Sequence, residues 1–229
     1  MHVPDGFLDA PTSVATGVVA ATAVALSLRG ARRELDDRTA PMAGLVATFV
    51  FAAQMINFPV GAGTSGHLMG GALAAVLVGP WTAVLCLSVV LLVQALLMAD
   101  GGITALGTNI TLIGIVTVAV GWVVFVGLRR VLPKRLGMVA PAAAVAALVS
   151  VPVAALVFTG LFAVGGNIEV DLGTVLTAMV GWHTVIGIGE AVVTGLVVAS
   201  VVAARPDLVH GARPLIVERE LELRDGVHR

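Results

Sequence analysis

Apolar residues run along this chain in long blocks, not in the alternating or stripe-like patterns of soluble strands and helices. Six blocks are plain, at about 12–29, 42–58, 81–99, 107–128, 138–163 and 174–204. Each approaches or exceeds the roughly 20 residues that cross about 30 Å of hydrocarbon as a helix. A seventh, 67–79 (HLMGGALAAVLVG), is short and rich in Gly and Ala, and Pro80 separates it from the next. As a helix it reaches only about 18 Å at 1.5 Å per residue. It is expected to begin part-way down the membrane and inside the bundle, because lipid cannot satisfy non-helical backbone. The last block is over-long, so that span is tilted or starts above the bilayer. The pattern predicts an all-α polytopic membrane protein with seven transmembrane helices. Residues 1–204 form a single integral-membrane domain, preceded in its first helix by a loop at 1–11, and 205–229 form a short cytoplasmic tail. Composition agrees: 58% of residues are hydrophobic, 12% are charged and mean hydropathy is +1.04. So few charges cannot cover the surface of a soluble domain this size, where about 25% is usual.

Charge placement orients the spans. Arg29, Arg32, Arg33 and Arg38 lie between the first two, Arg129, Arg130, Lys134 and Arg135 between the fifth and sixth, and Arg205, Arg213, Arg219, Arg224 and Arg229 after the last. Only with the short span counted do all of them fall on one side, which the positive-inside rule makes the cytoplasm. The amino terminus is then outside and the carboxyl terminus inside. MHVPDGFLDAP lacks the basic start of a signal peptide, so the first span is expected to carry this segment across. The outer loops hold Asp5, Asp9, Asp100, Glu169 and Asp171 and no Lys or Arg. That suits a cation-collecting vestibule, although the positive-inside bias alone leaves loops of this kind. One cysteine, Cys86, excludes a disulfide framework and a thiolate cluster. One lysine, without GxxxxGK[ST], excludes an ATP-binding phosphate loop.

The first two residues carry chemistry. With Met1 retained ahead of the bulky His2, three nitrogens lie within one dipeptide: the Met1 amine, the His2 amide and His2 Nδ1. One metal bound through all three closes a five- and a six-membered chelate ring. Deprotonating an amide takes a strongly polarising metal that accepts planar nitrogen donors, which favours Ni(II), Cu(II) or low-spin Co(II). A further imidazole completes a square plane. GAGTSGH offers one in His67, on the same face as His2 and preceded by Gly61, Gly63 and Gly66; a histidine there could also merely cap or pack. Ring nitrogens bind only when unprotonated, so affinity is expected to fall as pH drops through about 6.5.

MHVPDGFLDAPT, QMINFPVGAGTSGHLMGGALAAVLVGPW, ALGTNITLIG and GWHTVIGIGEAVVTG resemble the CbiM/NikM family, from Met1 to about residue 204. These are the substrate-binding (S) components of energy-coupling-factor ABC transporters for cobalt and nickel. The resemblance implies seven helices and an amino-terminal loop folded into the bundle. It implies metal ligation by Met1, His2 and His67, with Co2+ or Ni2+ as transported substrate and no prosthetic group. It implies separate partners in a prokaryotic cell membrane: a transmembrane coupling subunit, ABC-type ATPase subunits and often a small accessory membrane protein. One departure is Leu112, where relatives often carry a second Asn.

Other polar residues are candidates for orienting the imidazoles: Gln54, Asn57, Thr64, Ser65 and Asn109 near the outer loops. His183 and Glu190 share one face of the last span, where an ionisable group is costly; they fit an interhelical polar pair or a brace for the amino-terminal loop. Gly17, Ala21 and Ala25 form a small-residue face on the first span. Internal packing is the expected use, and docking onto a partner is what the resemblance adds. Two other readings remain. A channel or secondary transporter acting alone would use Glu190 and His183 along its path. A rhomboid-like intramembrane protease would use Ser65 of GTSG as nucleophile and His183 as base, but leaves Met1, His2 and His67 without a role.

Overall fold

The computed structural model describes residues 1–37, 39–61 and 64–218. Arg38, Gly63, Arg219, Arg224 and Arg229 lie outside the described residues, as does the side chain of Thr64. Among the described residues the main helices are, in order, α1 (Ala10–Glu34), α2 (Ala40–Gln54), α3 (Gly71–Val78), α4 (Pro80–Leu97), α5 (Leu106–Val131), α6 (Val139–Gly165) and α7 (Leu172–Ala204). Five are long and apolar enough to cross a membrane: α1, α4, α5, α6 with the turn at its start, and α7. α2 has 15 residues and α3 only 8. The expected all-helical fold has one exception, since the Gly-rich loop forms a hairpin of β1 (Phe58–Gly61) and antiparallel β2 (Thr64–Gly66).

Helix boundaries follow local chemistry. Asp9 and Asp171 cap α1 and α7, their carboxylates accepting the Thr12 and Thr174 amides. α4 is capped from a distance by the buried Glu34, whose carboxylate accepts the Trp81 and Thr82 amides at 3.1 and 2.7 Å. Between α3 and α4, Gly79 has φ +95°, and a Cβ there would strike that same carboxylate. Within α5 the backbone widens to a π-helix over Ile110–Val116, immediately after Asn109. Leu112, at the departure from the family pattern, is fully buried in this stretch.

α3 lies at the centre, with all eight residues buried. At about 12 Å it is too short to cross by itself, and the extended segment 67–70 continues it toward the end where β1 and β2 lie. Two polar side chains satisfy that backbone. Glu190 accepts the Met69 and Gly70 amides at 2.7 and 2.9 Å, and the Gln54 amide donates to the Met69 carbonyl at 2.8 Å. Glu190 thus pairs with backbone, not with His183. The small-residue face of α1 also departs in part from expectation. Gly17 is packed closely against Gly107 of α5, where a Cβ would strike its backbone, so internal packing accounts for that position, whereas Ala21 and Ala25 are exposed and are not explained by it.

Loops collect at two ends. The amino-terminal segment, residue 57, the 100–104 loop and residues 165–167 are joined by hydrogen bonds at one end. Residues 34–36, 81–82 and 213 meet at the other.

Candidate metal centre

The first nine residues form no helix, yet Met1 and Val3 are fully buried and His2 is 4% exposed. Backbone pairing holds them there. Asn109 grips Val3 from both sides, its carbonyl accepting the Val3 amide at 2.7 Å and its Nδ2 donating to the Val3 carbonyl at 3.1 Å. The Gly102 amide donates to that carbonyl at 2.9 Å. A Cβ on Gly102 would sit 2.4 Å from the Asp5 amide nitrogen, so this close approach requires glycine. Asp5 accepts the Thr104 amide and hydroxyl, which hold its carboxyl below the usual range. Further along, Leu8 bridges Gly166, the Asn167 amide donates to the Phe7 carbonyl and the Asp9 amide to the Gly165 carbonyl.

This path brings His2 against His67. Their rings stack with centroids 4.2 Å apart and planes 24° from parallel. His67 Nδ1 donates to the Leu68 carbonyl at 2.8 Å. That contact fixes the tautomer and leaves Nε2 with its lone pair, buried and without a hydrogen-bond partner among the described residues. His2 Nε2 lies 3.2 Å from the Gln94 carbonyl oxygen, to which it donates. His2 Nδ1 comes within 3.0 Å of Asp100 Oδ1 but is not aligned for a hydrogen bond. Asn57 Nδ2 donates to the other oxygen of Asp100 at 3.1 Å.

Burial decides the protonation of the donors. It lowers the Met1 amine to about 4, against the opposing pull of Asp100. At Asp100 burial pushes upward, but His2, Asn57 and the amine outweigh it and keep the carboxyl below its usual value. An uncharged amine is an electron-pair donor without a proton to lose.

Met1, His2, His67, Asn57 and Asn109 thus converge. Ser65 sits on β2 opposite Pro59, two residues before His67. His183 is fully buried within electrostatic reach of the amine and His67. Its Nδ1 donates to the Met179 carbonyl at 2.7 Å and its Nε2 has no partner, so neither ring nitrogen bonds Ser65 and no protease dyad is formed. Sequence reasoning passed over Gln94 and saw Asp100 only as part of an acidic face; a glutamine within an apolar span was the available signal for the first. Among the described residues no three His, Cys, Asp or Glu side chains group as metal ligands.

Residues 2–208 match the model of a family described as the cobalt uptake substrate-specific transmembrane region, CbiM. A putative metal transport protein of Haloquadratum walsbyi is 40% identical over 209 residues, covering 91% of this chain and 93% of that one. The fused nickel transport protein NikMN of Rhodobacter capsulatus is 35% identical over 240 residues, covering 99% of this chain and 69% of its own length. Among solved structures, a truncated transition metal transporter superposes with a TM-score of 0.82 at 28% identity, covering 89% of this chain and 99% of that one. A buried, hydrogen-bonded amino terminus stacked on a loop histidine thus occurs in a chain matched almost end to end, and the chain belongs to the CbiM family of cobalt uptake substrate-specific transmembrane regions.

Proposed function

We propose that this chain is the substrate-capture subunit of an energy-coupling-factor importer for Ni2+ or Co2+. The ion is held by the Met1 amine, the deprotonated His2 amide, His2 Nδ1 and His67 Nε2. One observation carries this reading: a buried, uncharged chain amine lies beside two stacked imidazoles, one of which has an unpartnered lone pair. Four nitrogens in a plane suit d8 Ni(II) and low-spin Co(II). The Gln94 contact keeps a proton on His2 Nε2 and so leaves Nδ1 for the metal. On capture His2 Nδ1 turns from Asp100 toward the ion, and the carboxylate remains as a nearby counter-charge.

Seven spans with the amino terminus outside are supported by the alternation of loops between two ends and by the charge placement of the sequence. The ion is then captured from outside the cell membrane. The exposed face at Ala21 and Ala25 is a surface on which a coupling subunit can dock closely, and ATP hydrolysis belongs to separate ATPase subunits.

The test is Ni(II) titration of the purified chain with its native terminus, beside a variant carrying one glycine ahead of Met1. The extension removes the amine from the chelate and is expected to weaken binding by at least about a hundredfold. Equal affinity in the two proteins would overturn the ligand set.

A further inference from the structure

At the end opposite the metal centre, a cavity of about 340 Å³ opens between the last turns of α5 and the segment that follows α7. Apolar and aromatic side chains, among them Trp122, Phe125 and Leu215, line it together with the basic Arg129, Arg130 and Lys134. Trp122 contacts both Phe125 and His210, at ring centroid distances of 5.6 and 5.5 Å. Lys134 is paired with Glu218 at 2.6 Å. Arg129 Nη1 is buried with no hydrogen-bond partner among the described residues, and so is His210 Nδ1. A buried guanidinium N–H without an acceptor is costly. An anion with several acceptor oxygens would satisfy it, and would also accept from His210 in its Nδ1–H tautomer.

We propose that this cavity binds the phosphate of an anionic phospholipid. Guanidinium groups match phosphate oxygens in paired hydrogen bonds. The order of the walls favours a lipid over a free anion: aromatic and aliphatic side chains lie toward the helix interior, and basic groups lie at the helix end, in the sequence of acyl chain, glycerol and headgroup. The aromatic–basic pairing is that of a membrane interface. This rests on reading α5 as a membrane span, and not on the metal centre. The bound lipid joins the chain following α7 to the end of α5, adding to the Lys134–Glu218 pair and the Trp122–His210 contact.

The test is native mass spectrometry of the full chain released from detergent, offered dioleoylphosphatidylglycerol, dioleoylphosphatidylcholine or inorganic phosphate. Retention of phosphatidylglycerol is expected to exceed that of phosphatidylcholine by about thirtyfold, as two arginine contacts at a membrane surface imply. The double variant Arg129→Gln, Arg130→Gln is expected to abolish the preference, whereas Arg32→Gln, Arg33→Gln at the same end is expected to keep it. No preference in the native protein, or equal loss in both variants, would overturn the proposal. So would inorganic phosphate or a polyglutamate peptide displacing the lipid at equal concentration, since these would identify a free-anion or protein site. Ni(II) titration of the same preparations reports on the metal centre separately, and both variants are expected to bind nickel like the native protein.

Discussion

Burying an amine is costly while it is charged, and Met1 shows how that cost is avoided: the amine sits fully buried and sheds its proton, its value falling to about 4. The amine binds a proton in the unfolded chain more readily than in the folded one. Without metal, stability is therefore fully present above about pH 8 and is lost progressively as pH falls toward about 4, where the folded amine titrates. Urea melts at several pH values would show this slope. The same shifts bear on metal capture. A peptide with these ligands would release about four protons per ion at pH 5.5, from an amine, an amide and two imidazoles. Here the amine has none to give, so calorimetry in buffers of different ionisation enthalpy should read about one fewer. Release of the full four would mean that the site is open and hydrated before metal arrives. His67→Ala removes the buried lone-pair donor, and nickel affinity is expected to drop by at least about a hundredfold with the helical circular dichroism unchanged; undiminished affinity would remove His67 from the ligand set.

Among the elements, the decisive one is the extended segment 67–70 that carries His67. Non-helical backbone inside a membrane needs internal partners, and it finds them in Glu190 of α7 and Gln54 of α2. That explains two polar residues in apolar spans. Glu190→Gln leaves one side-chain oxygen to serve two amides that the carboxylate served separately. The expected cost is about 1–3 kcal/mol in thermal or denaturant unfolding, with weaker nickel binding because His67 loses its seat. Unchanged stability would show that water or another group satisfies these amides. The sequence showed α3 as short, small-residued and buried, because Gly, Ala and the break at Pro80 are local signals. The hairpin before it was not legible, since its two strands span only Phe58–Gly61 and Thr64–Gly66 and pair through backbone in a glycine-rich stretch. The π-helical turn in α5 was equally hidden, being a change of hydrogen-bond register that side-chain periodicity does not record.

For the whole molecule, the two ends divide the work. One end gathers the amino terminus, the hairpin and the 100–104 loop around the donors; the other gathers nearly all of the described arginines. α1 runs between them and leaves Ala21 and Ala25 exposed. Ala21→Leu with Ala25→Leu is therefore expected to leave nickel binding unchanged while impairing ATP-dependent uptake in cells that also express the coupling and ATPase subunits. Normal uptake by that variant would move the docking surface elsewhere.

What the linear sequence determined was the set of apolar blocks, their order and number, the segregation of charge and the unusual chemistry of a Met-His start. These are properties of composition and short-range pattern, which the membrane's thickness and dielectric convert directly into helices. Only the tertiary structure decided that His2 stacks on His67, that Asn109 and Gly102 hold the terminus in place, and that Glu190 serves backbone amides instead of pairing with His183. Those contacts join residues about 65 to 120 positions apart. Each depends on hydrogen-bond direction and burial, and neither quantity exists until the helices have packed.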